Sequence, residues 1–257
     1  MISKNLMKYV RSLEQKKARK QEGVFVAEGT KVVGDLLAVM PATRLIAVEE
    51  WYRQNDITPR TNDAVVTEEE LRRVSFLQHP QQVMALFPLP EGSKDANHSE
   101  RTDYSLSVND LFIALDGVQD PGNLGTIIRI ADWFGISTLF CSHDTADAYN
   151  PKVVQATMGS IARVKVIYTD LLALFEQLPE GMPVYGTFLD GKNIYQQPLT
   201  PNGIIVMGNE GKGISKEVAA HINHHLLIPS YPAGRVTADS LNVAIATAIT
   251  CAEFRRK

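Results

Sequence analysis

The second half of the chain alternates between short apolar runs and segments with helical spacing. Each apolar run is three to five residues long, which is typical of a buried strand. The predicted strands are Leu111–Leu115, Thr138–Cys141, Val164–Tyr168, Val184–Thr187, Ile204–Met207 and Leu226–Ile228. The predicted helices are Thr126–Phe134, Pro151–Ile161, Asp170–Leu178, Ser215–Ile222 and Ser240–Arg255. This alternation predicts an α/β domain whose parallel sheet is covered by helices on both faces.

The first part of the chain mixes strand and helix patterns over a shorter stretch. Its predicted strands are Val24–Gly29, Leu45–Val48 and Val83–Phe87. Its predicted helices are Lys4–Lys20, Lys31–Met40 and a third that Thr67 and Glu70 open as a capping box and that runs to about Phe76. The pattern indicates a small α/β sandwich that precedes the parallel-sheet domain.

A polar stretch separates the two blocks. Residues Pro90–Asn109 are rich in Gly, Ser, Asn and Asp and nearly free of apolar side chains, as expected of an exposed linker. A length of 257 residues also fits two modest domains, at about 150 residues per domain. We therefore predict a first domain at residues 1–90, a linker at 91–109 and a second domain at 110–257.

Composition excludes several classes of protein. Hydrophobic residues make up 44% and charged residues 21% of the chain, which is ordinary for a folded globular protein and not for a disordered or fibrous one. No apolar run approaches the length of roughly 18 residues that a membrane span requires, and the amino terminus lacks the apolar core of a secretory signal. The two cysteines, Cys141 and Cys251, cannot form a disulfide framework or a four-thiolate zinc site. We expect a protein of the reducing cytoplasm.

The charge is distributed unevenly along the chain. The formal net charge is −3, yet the first twenty residues hold seven Lys or Arg side chains against one Glu, so that segment carries +6 and the remainder −9. A basic segment attached to an acidic body is either a solvated helix face or a contact surface for an anionic partner.

Three polar loops follow predicted strands and are the best candidates for a functional site. In parallel sheets ligands bind beyond the carboxyl ends of the strands, where these loops lie. The loops are Asp116–Arg129, Met207–Ser215 and Ile228–Asn242. Neither common phosphate-binding motif is present: the G-x-G-x-x-G spacing is absent around Gly122 and Gly125, and Lys212 is followed by Gly213 rather than by the Ser or Thr of a P-loop.

Taken together, the three loops resemble the three motifs of SpoU-type RNA 2′-O-ribose methyltransferases of the SPOUT superfamily. The first motif, Asn-x-Gly-x-x-x-Arg, is matched by Asn123, Gly125 and Arg129. The second, Gly-Asn-Glu-Gly-x-Gly, is matched by Gly208, Asn209, Glu210, Gly211 and Gly213. The third, Ile-Pro followed by Ser-Leu-Asn-Val, is matched by Ile228, Pro229, Ser240, Leu241, Asn242 and Val243. The first block is similar to the ribosomal-protein-like substrate-binding domain of this family, at Lys16–Arg19, Val24–Gly29 and His79–Leu86.

The resemblance implies methyl transfer from S-adenosylmethionine to a ribose 2′-hydroxyl of RNA, within a domain that forms a deep trefoil knot. It implies no metal, because the sulfonium already activates the methyl carbon. The implied cofactor-binding residues are Thr187, Phe188, Gly208, Asn209, Ile228 and Leu241. The implied catalytic residues are Asn123, Arg129, Glu210, Ser240 and Asn242. A homodimer is also implied, with the active site completed across the subunit interface.

Residue chemistry suggests a role for each catalytic candidate. Because an arginine is almost always protonated, we expect Arg129 to stabilise the developing alkoxide and to hold the adjacent phosphate, rather than to act as a general base. Glu210 would orient Arg129 or neighbouring N–H groups, and Asn123 would hold the first loop. Ser240 and Asn242 would position the ribose and cap the last helix. Ordinary structural roles remain open: Asn123 or Ser240 as a simple helix cap, and Glu210 as a solvated carboxylate.

The resemblance also gives the basic segment a function. We expect Lys4, Lys16, Lys17, Arg19 and Lys20 to contact RNA phosphates. The two-domain layout favours ribosomal RNA as the substrate. The alternatives are a transfer-RNA 2′-O-methyltransferase and a non-catalytic RNA-binding ribosome-assembly factor of the same fold. The Ser230–Asp239 segment supports the last alternative, because it is longer than usual in the family and Ser230 replaces the usual Met.

Several other side chains attract attention in the sequence. The histidines His221, His224 and His225 lack a carboxylate or thiolate at a spacing that would complete a metal site, so a surface role is expected. Trp133 lies on an apolar helix face and is expected to pack, whereas Trp51 and Tyr52 are more open candidates for base stacking.

Overall fold

A computed structural model of the chain describes residues 2–90, 104, 106–232 and 235–256. The chain divides into two compact units, one formed by residues 1–95 and 147–162 and the other by residues 96–146 and 163–257. Most of the predicted linker, residues 91–103 and 105, lies outside the described residues.

The first unit is a four-stranded mixed sheet with helices around it. The strands lie in the order β1-β4-β2-β3. They are β1 (Val24–Glu28), β2 (Arg44–Ala47), β3 (Ala64–Val65) and β4 (Val83–Pro88). The helices are α1 (Lys4–Ser12), α2 (Lys16–Glu22), α3 (Thr30–Leu37), α4 (Glu49–Gln54) and α5 (Glu68–Val74). The predicted capping box of α5 is confirmed, since the Thr67 side chain accepts from the backbone N–H of Glu70 and the Glu70 carboxylate accepts from that of Thr67.

The amino-terminal helix differs from the prediction. The expected single helix Lys4–Lys20 is broken into α1 and α2, and the fully buried Leu13 lies at the break. The strand β3 and the helix α4 were not predicted. The α4 helix buries Trp51 and Tyr52 at 1% and 3% exposure, so the expectation that they are open to base stacking is wrong. Their apolar rings are part of the core of this unit.

A second piece of chain completes the first unit. Residues 147–162, which carry helix α7 (Pro151–Ala156) and a 3-10 turn (Ser160–Ala162), pack on β1 and α3. The ring of Tyr149 lies 5.0 Å from that of Phe25, and the Asp147 carboxylate accepts a hydrogen bond from Arg19. The predicted helix Pro151–Ile161 is shorter than expected, because α7 ends at Ala156.

The second unit is built on a six-stranded parallel sheet, as predicted. Its strands lie in the order β10-β8-β9-β5-β6-β7. They are β5 (Leu111–Asp116), β6 (Thr138–Cys141), β7 (Lys165–Tyr168), β8 (Val184–Asn193), β9 (Gly203–Gly208) and β10 (His224–Leu227). The helices are α6 (Pro121–Trp133), α8 (Leu171–Phe175), α9 (Lys216–Ala219) and α10 (Val243–Arg255).

Helices cover both faces of this sheet. Phe112 and Ala114 of β5 belong to a buried cluster that includes side chains of α8 and α9. Because side chains alternate along a strand, Ile113 and Leu115 point to the opposite face, where α6 and α10 pack together. Cys141 and Cys251 are both fully buried and are part of the core of this unit. Among the described residues, no helix is both long and apolar enough to cross a membrane.

Helix caps explain where two helices begin. The α6 helix begins at Pro121, five residues before the predicted start, because Asp120 caps it and a proline suits the first helical position. The α10 helix begins at Val243, three residues after the predicted start, because the Asn242 side chain accepts from the backbone N–H groups of Ala244 and Ile245. Ser240 is therefore not the helix cap.

Candidate active site

The site candidates gather at the carboxyl edge of the parallel sheet. Strands β5 and β9 are neighbours, and Asp116 pairs with Gly208 at their carboxyl ends. The chain continues from β5 to β6 and β7 on one side, whereas β8 and β10 lie on the other side of β9. This point is a topological switch, where the two loops diverge and leave a crevice for a ligand.

Three side chains from three different loops form a hydrogen-bonded chain across this edge. The Asn242 Nδ2 donates to the Asn123 Oδ1 at 2.8 Å, and the Asn123 Nδ2 donates to the Glu210 Oε1 at 3.0 Å. We call Asn123, Glu210 and Asn242 the carboxamide relay. The relay brings together one residue from each of the three sequence motifs, although the motifs are separated by about 87 and 119 residues along the chain.

The orientation of both amides is determined by the two ends of the relay. At one end the Asn242 Oδ1 accepts from the N–H groups of Ala244 and Ile245, at 2.9 Å and 3.2 Å, so its Nδ2 must face Asn123. At the other end the Glu210 carboxylate can only accept, so the Asn123 amide must present its nitrogen. An aspartate at either asparagine position would therefore lack a required donor.

Glu210 accepts hydrogen bonds beyond the relay. The backbone N–H groups of Gln119 and Asp120 lie 3.4 Å from its two oxygens. Partial burial raises its pKa, but the hydrogen bonds from the Asn123 side chain and from backbone N–H groups outweigh burial, so the pKa lies below its ordinary value. Glu210 is thus held as a carboxylate that organises neighbouring N–H groups, which is one of the two roles expected for it.

The loop after β9 forms a tight turn around Asn209. The Asn209 Oδ1 accepts from the N–H groups of Gly211 and Lys212, and its Nδ2 donates to the Gly117 carbonyl at 2.7 Å. A Cβ atom on Gly208 would lie 2.2 Å from the carbonyl carbon of Gly213, which no side chain can tolerate. The turn therefore requires glycine at position 208.

Arg129 and Ser240 are placed differently from the relay. Arg129 lies six residues beyond Asn123 on α6, about 9 Å further along the helix axis, and its side chain is exposed. No hydrogen bond joins it to Glu210 among the described residues. Ser240 is exposed and lies two residues before the Asn242 cap. The relay is thus assembled within the chain, whereas Arg129 and Ser240 project from it toward solvent.

The remaining cofactor candidates follow the neighbouring strands. The central part of β8 leaves the pairing with β10, whose partner changes from Gly186 to Lys192 between two consecutive residues, and Thr187 and Phe188 lie in this excursion. The Phe188 ring stacks on His225 at 4.1 Å. Ile228 follows β10 and is half-buried, whereas Leu241 is 51% exposed beside the α10 cap.

Comparison with known proteins decides the family. Residues 110–252 match the model of the SpoU rRNA Methylase family, and residues 4–85 match that of the MRM3-like substrate binding domain. The first match covers more than half of the chain. The chain belongs to the SpoU rRNA Methylase family.

Several SpoU relatives match over nearly the whole chain. The 23S rRNA (guanosine(2553)-2′-O)-methyltransferase RlmP of Bacillus subtilis is 31% identical over 95% of this chain and 94% of its own length. A protein from Porphyromonas gingivalis assigned as an RNA methyltransferase of the TrmH family is 42% identical, with a TM-score of 0.82 over 99% of this chain and 98% of its own. The AdoMet-bound rRNA methyltransferase of Sinorhizobium meliloti is 30% identical, with a TM-score of 0.82 over 99% and 95% of the two chains.

The basic residues of the SpoU chain divide into two groups. Lys4 on α1 and Lys16 and Lys17 on α2 are exposed, and Lys20 is half-buried. Arg19 is 1% exposed, so its assignment to RNA contact is wrong. Its guanidinium donates to the carbonyls of Leu13 and Glu14 at 2.7 Å each and to Asp147 at 2.5 Å. Arg19 faces inward because these acceptors, together with the buried turn at Leu13, replace water.

Sequence reasoning missed several contacts and misplaced one side chain. Trp133 is 84% exposed, contrary to the expectation that it packs. Asp116 accepts from the Ser215 N–H, and Ser142 links Gly117 to Asp144, so both hold the loop after β5. The dipeptide Asp120–Pro121, a cap followed by a first-turn proline, was the signal that could have placed the start of α6. No comparable pattern identifies Asp116 or Ser142.

The three histidines His221, His224 and His225 each stack on an aromatic ring. His221 stacks on Phe175, and His224 stacks on Tyr185 at 4.7 Å. Within the described ranges, no group of three or more His, Cys, Asp or Glu side chains is arranged to hold a metal ion.

Proposed function

We propose that this SpoU protein transfers a methyl group from S-adenosylmethionine to a ribose 2′-hydroxyl of ribosomal RNA. The observation that carries the proposal is the carboxamide relay, which joins the three motif loops at the switch point of the sheet. The relatives RlmP and RlmB, both named as 23S rRNA guanosine 2′-O-methyltransferases, support ribosomal rather than transfer RNA as the substrate.

The loops at the sheet edge fit S-adenosylmethionine. Strands β10, β8 and β9 are adjacent and about 5 Å apart, so Ile228 just after β10, Thr187 in the unpaired part of β8 and Gly208 at the end of β9 belong to three neighbouring strands. Gly208 and Asn209 offer backbone groups at close range, and the half-buried Ile228 and exposed Leu241 offer apolar surface for an adenine ring. Because the Phe188 ring is occupied by packing on His225, we assign Phe188 only a backbone contact.

The chemistry is a displacement at carbon. When bound, S-adenosylmethionine would supply a methyl carbon activated by its sulfonium, so that attack by the ribose oxygen would form the O–C bond, break the C–S bond and return the electron pair to sulfur. The protein would hold the 2′-hydroxyl in line with the methyl carbon and stabilise the charge that develops on its oxygen as its proton passes to solvent water. Arg129, an exposed fixed cation on the helix after the first loop, would serve that oxygen and the adjacent phosphate.

In this mechanism the carboxamide relay is a positioning device. Asn123 fixes the start of α6 and therefore the direction of Arg129, while Glu210 holds Asn123 and the N–H groups of the preceding loop. Asn242 fixes the start of α10, so that Ser240 precedes the cap in a defined place and can reach the ribose. Each relay residue acts through the loop that it holds.

We further propose a homodimer. Gly122, Thr126, Arg129 and Trp133 are all exposed and form one stripe along α6, and Ile245 is 52% exposed on the neighbouring α10. Arg129 shares this stripe with Trp133, so a partner that covers the tryptophan would also enclose the arginine. We also propose that the last part of the chain forms the trefoil knot of the family and that residues 1–90 bind the substrate, with Lys4, Lys16, Lys17 and Lys20 against phosphates.

Replacement of Arg129 tests the chemical role. We expect Arg129→Ala to abolish methyl transfer to RNA, while calorimetric titration shows that S-adenosylmethionine still binds. Arg256→Ala, which removes another exposed arginine of the same unit, is the control and should retain activity. Near-normal turnover by Arg129→Ala would exclude the assignment.

The non-catalytic alternative has its own discriminating result. The longer Ser230–Asp239 segment favours it, whereas the intact relay opposes it. A pure RNA-binding assembly factor would leave the 2′-O-methylation pattern of total RNA unchanged when its gene is deleted. The proposed enzyme predicts the loss of at least one methylated ribose, detected by mapping across ribosomal RNA.

Basic residues on α1 and α2 predict salt-dependent RNA binding. Reversal of Lys4, Lys17 and Lys20 to glutamate removes three candidate phosphate contacts, and the slope of log K against log salt should fall by about 0.7–0.9 for each phosphate that is no longer neutralised. Cofactor affinity should be unchanged. An unchanged salt slope would contradict the RNA role of this segment.

A further inference from the structure

The segment between β10 and α10 carries the most exposed apolar side chains of the described residues. Tyr231 is 90% exposed and Val236 is 94% exposed. A tyrosine ring is a large, partly apolar surface that proteins usually bury or place at interfaces. Arg235 and Asp239 of the same segment are also exposed, so a cation lies four residues beyond Tyr231 in a segment whose two charges balance.

Both ends of the segment are attached to the proposed active site. The segment starts at the carboxyl end of β10, on the same edge of the parallel sheet as the loops after β5 and β9. It ends at Asn242, which donates to Asn123. Tyr231 follows Ile228 by three residues, and Leu241, half of which is exposed, lies beside the other end.

Other exposed aromatic side chains of the same unit have different surroundings. Trp133 lies on the α6 stripe that we assign to the subunit interface. Tyr195, 48% exposed, lies in a 3-10 turn that follows β8, away from the motif loops in sequence. Tyr231 is thus the exposed ring that directly follows a motif segment.

An exposed aromatic ring and an exposed arginine four residues apart on one segment are suited to unpaired RNA. Bases that are not stacked in a helix are recognised by stacking on aromatic rings and on arginine planes, and their phosphates bind nearby cations. A folded protein surface would instead be expected to meet Tyr231 with a broader apolar patch. The fully exposed Val236 adds only a small apolar surface.

We propose that Tyr231 stacks on an unpaired base at the methylation site and, with Arg235, determines how the RNA strand enters the active site. The inference rests on the proposed methyl transfer to RNA. Stacking tolerates any base, so Tyr231 contributes affinity and strand placement rather than base identity. Arg235 contributes through phosphate, so its effect depends on salt, whereas the effect of Tyr231 does not.

Kinetics of the full-length protein test the proposal. The probe is total RNA purified from cells in which the gene has been deleted, methylated with tritiated S-adenosylmethionine by wild type, Tyr231→Ala, Tyr231→Phe and, as the matched control, Tyr195→Ala. We expect Tyr231→Ala to raise KM for RNA about tenfold with kcat within about twofold, because one stacked base contributes roughly a factor of ten in affinity. Tyr231→Phe keeps the ring and should resemble wild type, as should Tyr195→Ala.

Salt dependence separates the contribution of Tyr231 to RNA binding from that of Arg235, and cross-linking locates the RNA. The tenfold difference in KM between wild type and Tyr231→Ala should be the same at low and high salt. Arg235→Gln should instead reduce the slope of log K for RNA against log salt by the amount expected for about one phosphate. Ultraviolet cross-linking followed by mass spectrometry should place RNA on the peptide that contains Tyr231 in the wild type.

Three other outcomes would overturn the proposal, each for a different reason. An unchanged KM in Tyr231→Ala, with wild-type activity intact, overturns the stacking proposal alone. A change in sedimentation from dimer to monomer in Tyr231→Ala overturns it in favour of a subunit contact. Absence of methyl transfer by the wild type to any RNA refutes the proposed function, and this proposal with it.

Discussion

Replacement of Arg19 by methionine should strongly destabilise the first unit. The side chain is 2% exposed, and its guanidinium bonds the carbonyls of Leu13 and Glu14 and the carboxylate of Asp147, which is 16% exposed. Methionine keeps much of the apolar stem but provides none of the three donors. Both carbonyls would then lose the donor that Arg19 provides, and the Asp147 carboxylate would keep the backbone N–H of Tyr149 but lose its cationic partner in a largely dehydrated place.

The expected cost follows from the charge that is left unpaired. Removal of one partner from a buried ion pair costs about 3–5 kcal/mol, a large part of the roughly 5–15 kcal/mol that stabilises a typical domain. At a urea dependence of about 2 kcal/mol per molar, the unfolding midpoint should fall by roughly 1.5–2.5 M.

The two tryptophans allow the first unit to be observed separately. Trp51 is buried in the first unit, whereas Trp133 is exposed in the second, and the chain has only these two. In a Trp133→Phe background, urea unfolding followed by tryptophan fluorescence therefore reports the surroundings of Trp51 alone.

An exposed lysine on the same helix gives the control. Lys17→Met removes a positive charge from α2 without removing a buried contact, and its midpoint should change by the equivalent of less than about 0.5 kcal/mol. The double variant Arg19→Met/Asp147→Asn should recover part of the loss, because the unpaired carboxylate is gone. A midpoint for Arg19→Met equal to that of Lys17→Met would refute the reasoning and return Arg19 to the group of RNA contacts.

Three further predictions concern the active-site edge. Gly208→Ala should reduce S-adenosylmethionine affinity and thermal stability together, since the added Cβ meets the Gly213 backbone at 2.2 Å; an unchanged melting temperature would show that the turn can yield. Asn242→Asp keeps the acceptor that caps α10 but loses the donor to Asn123, so methyl transfer should fall while urea unfolding shows near-normal stability. Asn242→Ala loses the cap as well, and its free energy of unfolding should fall by about 1 kcal/mol. The folded-state pKa of Glu210 lies below its ordinary value, so its stabilising contribution is present above pH 4.5 and is lost as pH falls through the lower folded pKa. Glu210→Gln should therefore lose less stability than wild type on acidification, and parallel pH curves would contradict this.

Local patterns in the sequence were sufficient for much of the second unit. All six strands were predicted, because a parallel sheet buried on both faces requires continuous apolar runs that differ plainly from the polar loops. The capping box at Thr67 and Glu70 was predicted for a similar reason, since both partners lie within one helical turn. The motif spacing also placed Asn123, Glu210 and Asn242 on neighbouring loops, although not their mutual hydrogen bonds.

Tertiary structure decided the features that depend on partners far away in the chain. Arg19 has the residue type of a surface contact, and its charge is balanced in the interior by the carboxylate of Asp147, 128 residues away, beside the two nearby carbonyls of Leu13 and Glu14. Residues 147–162 follow the pattern of the second block but pack with the first unit, because their apolar face meets β1. Trp133 shows the converse, since it lies on a helix of the core but its side chain is exposed. Local spacing was therefore sufficient to identify the strands and the three candidate loops. The orientation of Arg19 and Trp133 depends on packing between distant parts of the chain, which no local spacing encodes.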